Sequence, residues 1–268
     1  MKILLKSQFF AILINRIMGY TQTEFVTMFL ALLVILTTGV ILRFTLRKAP
    51  LAVRQIPLSV LGATILILEI IKQTYHLIVG DWCAWFIPLH FCSFFLVWYT
   101  VALFTRGKLR QLMYFCSITG GFMVTVLLFL APRMILHEAA GSIWDTFDHF
   151  HTFFYHMGVV AYWVWMLMLN VYCPERQHIR KTVITYTIFY FVILVGAFIF
   201  QQNYTNALYS DIAILDNFRL TAGQFSYDAV LISIGVVSIA LVSSATYFVL
   251  SKLYQHYMQK DTLHIKEN

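Results

Sequence analysis

Long apolar runs separated by short polar connections recur along this chain, and their length is the first thing it reveals. A helix needs about 20 consecutive apolar residues to cross the hydrocarbon core of a bilayer. Seven stretches meet that demand: residues 24–42, 56–79, 82–104, 109–131, 150–172, 182–200 and 225–250. None shows the strict alternation of a half-buried strand, so the pattern predicts an all-α, polytopic membrane protein, a bundle of seven transmembrane helices. Pro50, Pro57, Pro132 and Pro174 stand at or near the ends of the runs, where a missing backbone donor costs little. Pro88 is the exception, inside the third run, and predicts a kinked third helix. No internal repeat is visible, which disfavours the repeat-built secondary transporters.

Before the first run, Lys2 and Lys6 precede the apolar residues from Phe9 to Ile14, as in a signal peptide, but Asn15 and Arg16 break the run and no small-residue cleavage site follows. Residues 1–20 read better as an interfacial amphipathic helix, residues 21–253 as the seven-helix domain, and residues 254–268 as a cytoplasmic tail.

Composition sharpens this picture. Of 268 residues, 60% are hydrophobic and 12% charged, against roughly 45–50% and about 25% in a soluble domain. The net charge of +7 does not imply nucleic acid, because the cations punctuate apolar runs rather than cluster on one wet face. The alternate connections that include the C-terminus hold thirteen Lys and Arg, against five in the opposite set. The positive-inside rule therefore predicts a multi-pass protein of the cell membrane with the N-terminus outside and the C-terminus in the cytoplasm. Cys83, Cys92, Cys116 and Cys173 lack a C-x-x-C spacing, and neither a disulfide framework nor a zinc finger is expected.

Ionisable groups inside a membrane chain are expensive and are the default functional candidates. In the second run Glu69, Lys72 and His76 share one helical face, either as a structural ion pair or as part of a site. In the third, Pro88-Leu89-His90-Phe91-Cys92-Ser93 sets imidazole, thiol and hydroxyl beside a helix breaker. The fifth run opens with Asp145, Asp148, His149, His151 and His156. His149 and His156 fall on one stripe with Asp145, whose carboxylate would orient His149; His151 reads as a structural histidine. The histidine spacing does not suit two imidazoles chelating one zinc from a single helix, so no metal or other cofactor is expected. Counting along the runs puts these groups at one depth, towards the outer face, with the 201–224 connection long enough to cover them.

From Pro88 to Ser93 the chain resembles the bacterial YwaF-like integral membrane proteins, whose third span carries a Pro-Leu-His-Leu-Cys-Ser type motif. Glu69, Gly120-Gly121, the Asp148 to His156 region and Asn203-Tyr204 follow that family's pattern in order. That family is similar to the eukaryotic transmembrane protein 164 group, acyltransferases of glycerophospholipids with a cysteine nucleophile and a histidine. A more distant similarity joins both to androgen-induced membrane hydrolases of fatty acid esters. In the eukaryotic motif the cysteine immediately precedes the histidine; Leu89 stands there here, and Cys92 is the nearest thiol.

The resemblance implies acyl transfer or ester cleavage on membrane lipids. His156, His90 and Cys92 are then the expected catalytic residues, with Glu69, Lys72, His149, Asp148, Asn203 and Tyr204 binding substrate or supporting them. The expected partners are membrane lipids and the bilayer. The alternatives are a zinc-dependent membrane lipid hydrolase using His149, His156, His90 and a carboxylate, and a proton-coupled or solute transporter built on Glu69, Lys72, His76 and His90.

Overall fold

The structure is a computed structural model that describes residues 20–210 and 212–266, with side chains described except at 137, 138 and 256–266. The amphipathic helix expected over residues 1–20 lies, apart from Tyr20, outside the described residues.

The described residues form helices and no strands. The long ones are α1 (Gln22–Leu46), α3 (Ile56–Val79), α5 (Gly107–Leu130), α7 (Phe147–Met168), α8 (Gln177–Phe200) and α10 (Gln224–Lys266). Shorter ones are α2 (Leu51–Arg54), α4 (Phe94–Phe104), α6 (Pro132–Leu136) and α9 (Ala213–Ala222). Among the described residues five segments are long and apolar enough to cross a membrane: Gln22–Leu46, Leu51–Val79, Gly107–Leu130, Gln177–Phe200 and Gln224–Gln255. Their outward faces are apolar too; Val34 is 63% and Phe44 67% exposed, as lipid-facing helices require. The last of these helices continues beyond Leu253 to Lys266.

Helix ends follow local chemistry. Thr146 caps α7 by accepting from the His149 amide, and Gly80, at φ 82°, ends α3 in the left-handed conformation that costs glycine nothing.

α7 is the hub. It packs against α1, α3 and α5 and buries Phe153, Tyr155, Val159, Val160, Tyr162 and Met166. With three histidines, two tyrosines and two tryptophans it is not among the five segments above, which suits a helix surrounded by its neighbours. Gly120 and Gly121 permit close approach, as the small residues suggest: a Cβ at Gly120 would collide with the Tyr186 hydroxyl and one at Gly121 with the Trp163 ring.

The third apolar run departs from expectation. Residues 82–104 are not one kinked helix; only α4, at its end, is α-helical. Before it the chain forms a hook with two short 3-10 turns, Ala84–Phe86 and Phe91–Ser93. Pro88 disfavours the helical region for Ile87, which is extended at ψ 131°, and His90 is extended at ψ 157°. Non-helical backbone at membrane depth survives where protein satisfies its polar groups. Here Tyr204 donates to the Ala84 carbonyl, Gln73 to the Phe86 carbonyl, and Tyr155 to the Cys92 carbonyl at 2.8 Å, while the Phe91 amide donates to the Thr205 hydroxyl at 3.0 Å.

Candidate functional site

Glu69 lies about three turns before the end of α3, buried at 7% exposure. Its Oε1 is 2.7 Å from the Lys72 ammonium and accepts from the Gln73 amide at 2.8 Å. Its Oε2 faces α7, 3.6 Å from His151 Nε2. That nitrogen is buried and makes no hydrogen bond. One turn further along α7, the Tyr155 hydroxyl holds the Cys92 carbonyl, and the His151 and Tyr155 rings lie nearly parallel. A carboxylate, an imidazole and the backbone of a thiol-bearing residue, from three parts of the chain, thus meet where α3, α7 and the hook converge.

The same Glu69 carboxylate spends one oxygen on the Lys72 cation and turns the other towards a histidine. Cys92 is half-buried at the foot of the hook. Ser93, its neighbour, opens α4.

Above this cluster His76 closes the gap between α3 and α7. Its Nδ1 is 2.8 Å from Asp81 Oδ1 and its Nε2 is 2.8 Å from Asp148 Oδ1. The ring stacks on Phe86 with centroids 3.7 Å apart. Only an imidazolium fills both contacts with donated hydrogen bonds. His76 is thus a bracket between the end of α3, the hook and the first turn of α7.

The two histidine stripes of α7 face different neighbours. Asp148, His151 and Tyr155, spaced i, i+3, i+7, look towards α3 and the hook. His151 and His156 are about 140° apart around the helix, and His156 sends Nδ1 to the Thr152 carbonyl of its own helix at 2.6 Å. His149 Nδ1 meets Ser142, 2.9 Å from its hydroxyl and 3.0 Å from its carbonyl. The expected orientation of His149 by Asp145 is not what the fold provides, because α7 begins at Phe147 and Asp145 lies outside the helix that the i, i+4 spacing assumed.

His90 sits at the turn of the hook, edge-on to the Trp85 and Tyr204 rings, with Nε2 3.4 Å from the Trp85 carbonyl. Asn203 and Tyr204 act on the loop around them. Asn203 Oδ1 accepts from the Leu208 and Tyr209 amides, and Tyr204 braces the hook. Burial, with Cys83 nearby, raises the Tyr204 phenol above its ordinary range, so it stays a donor.

The functional candidate that sequence reasoning set aside is His151. The i, i+3, i+7 spacing of Asp148, His151 and Tyr155 was a usable signal, since it matches the face of Glu69 and His76 on α3 in its polarity. Among the described residues, no three His, Cys, Asp or Glu side chains gather in a group that could hold a metal ion.

Apolar helices of spanning length around a shielded polar centre define a multi-pass membrane protein. A family model described as the TMEM164 family matches residues 18–254, and the chain belongs to that family. No curated protein and no solved structure matches it.

Proposed function

We propose that this protein transfers or hydrolyses acyl groups of membrane glycerolipids, at a site where α3, α7 and the hook meet. The observation that carries this reading is the contact between the Glu69 carboxylate and His151 Nε2, one turn from the tyrosine that anchors Cys92. A histidine beside a carboxylate, one turn from the tyrosine that holds the backbone of a thiol-bearing residue, offers the kinds of group that nucleophilic acyl transfer needs as base and nucleophile.

In the proposed cycle His151, or one of the neighbouring histidines His156 and His90, takes the Cys92 thiol proton as the sulfur adds to an ester carbonyl. The tetrahedral intermediate collapses, and the leaving lysolipid oxygen receives that proton. The resulting thioester is opened by the hydroxyl of an acceptor lysolipid, giving transfer, or by water, giving hydrolysis. A second histidine donates to the developing oxyanion. Ser93 or a substrate hydroxyl is the alternative nucleophile in the same frame. The reading takes the chain as YwaF-like and crossing the bilayer seven times, through α1, α3, the hook with α4, α5, α7, α8 and α10, with the N-terminus outside. The site then opens towards the outer leaflet.

Acyl exchange between labelled phospholipids in proteoliposomes tests this. Wild type should exchange label, and His151→Ala, Glu69→Gln, Cys92→Ala, His90→Ala and His156→Ala should reduce it. Unaltered turnover in all five variants removes the reading.

One observation favours a second reading. Asp81, His76 and Asp148 form one string of titratable groups and Lys72, Glu69 and His151 another, both between α3 and α7, which would suit a proton path. Proton flux in liposomes that is lost in Glu69→Gln, with no acyl exchange, would favour that transport reading instead.

A further inference from the structure

Among the described helices of ten residues or more, α9 is the most amphipathic, and none of its side chains is buried. On its outward face Ile214 is 81% and Phe218 37% exposed, one turn apart. Ile212 just before it and Phe225 just after it are 52% and 87% exposed. Its other side rests on α10. There Asp216 and Arg219 pair at 2.8 Å; the guanidinium holds the acid below its ordinary range, so the pair stays ionised and contributes no net charge.

What covers the outward face follows from where α9 lies. It links the end of α8 to the start of α10, both segments of membrane-crossing length. Those helices carry exposed apolar side chains to the two ends of this connection, Ile199, 68% exposed, at the end of α8 and Phe225 at the start of α10. Exposed apolar side chains with Asn217 and Thr221 beside them, on a helix that connects two segments of membrane-crossing length, suit the headgroup and acyl boundary. Water would have to wet Ile214 and Phe225 together, and a protein partner would have to displace lipid already in contact with both flanking helices.

We propose that α9 is an interfacial helix whose binding partner is the phospholipid surface at the site end of the bundle, and that this contact holds the hook in place. The second part rests on a short chain of hydrogen bonds. The loop before α9 carries Tyr204 and Thr205, which brace Ala84 and Phe91 of the hook. The same loop is tied to the start of α10, by Tyr227 donating to the Asn206 carbonyl and Gln224 to the Ala207 carbonyl. Pulling α9 out of the interface therefore loads the bonds that fix the segment bearing His90 and Cys92.

The test uses the full chain in vesicles of phosphatidylcholine. Ile214→Trp, compared with the unmodified protein by difference fluorescence, should be quenched at least twofold more by phosphatidylcholine brominated high on the acyl chain than by aqueous iodide. Stronger quenching by iodide overturns the lipid contact. Shielding from both quenchers, with cross-linking between chains, overturns it in favour of a second copy. For the coupling, the double variant Ile214→Asp, Phe218→Asp should raise amide hydrogen exchange at Phe91 and Leu208 at least fivefold, while exchange in α5 stays unchanged and reports an intact bundle. Unchanged exchange at Phe91 and Leu208 overturns the mechanical link. Should the double variant not insert, Ile214→Ser serves the same comparison.

Discussion

Glu69 serves Lys72, Gln73 and His151 at once, and that economy makes it vulnerable. Removing the carboxylate leaves the half-buried Lys72 ammonium without its ion-pair partner; breaking a fully buried pair from one side costs about 3–5 kcal/mol, and the partial exposure of Lys72 makes the cost here smaller. Glu69→Ala should therefore melt earlier than wild type in detergent, and adding Lys72→Met should recover part of the loss. A double variant no more stable than Glu69→Ala alone would show that the cation is not what suffers. Tyr155 makes a narrower case. Tyr155→Phe keeps the ring and deletes the donor to the Cys92 carbonyl, leaving that group unpaired at about 1–3 kcal/mol. A thermal unfolding midpoint equal to wild type would mean the carbonyl finds another donor.

Among the elements, α7 and the hook carry the proposed site, and each is held by contacts from elsewhere. The hook stays open because donors from α3, α7 and the 203–210 loop satisfy its backbone, and α4 becomes regular once Pro88 is behind it. α5 contributes by absence of side chain. Gly120 lets the Tyr186 hydroxyl reach the Cys116 carbonyl at 2.9 Å while the Phe95 ring packs against the same spot. Gly120→Ala should cost about 1–3 kcal/mol by overpacking, read as a lowered melting temperature of the purified protein. Gly235, whose added Cβ would meet nothing within 4 Å, is the control, and Gly235→Ala should leave the melt unchanged or slightly raised.

At the scale of the whole molecule two exposed thiols mark opposite ends of the bundle. Cys83 follows α3 at the hook, and Cys173 lies beyond α7, where Arg54 at the end of α2 grips the Leu169 and Asn170 carbonyls. With the proposed orientation, a membrane-impermeant maleimide applied to intact cells should label Cys83 and spare Cys173, and Cys83→Ser should abolish the signal. Labelling of Cys173 alone would invert the topology and place the site on the cytoplasmic side. The all-helical membrane class, five of the spanning segments and the handful of polar residues worth attention are legible in the bare chain. Each is local: a bilayer offers no hydrogen bonds, so a span must declare itself as a continuous apolar run, and any charge within one is conspicuous. The hook in place of a kinked third helix, the two faces of α7 and the contact of His151 with Glu69 were decided by tertiary structure. They depend on partners far apart in sequence, such as Tyr155 and Cys92 at a separation of 63 residues. Helical periodicity shows which side chains share a face, but not which face meets a partner, and only packing chooses between them.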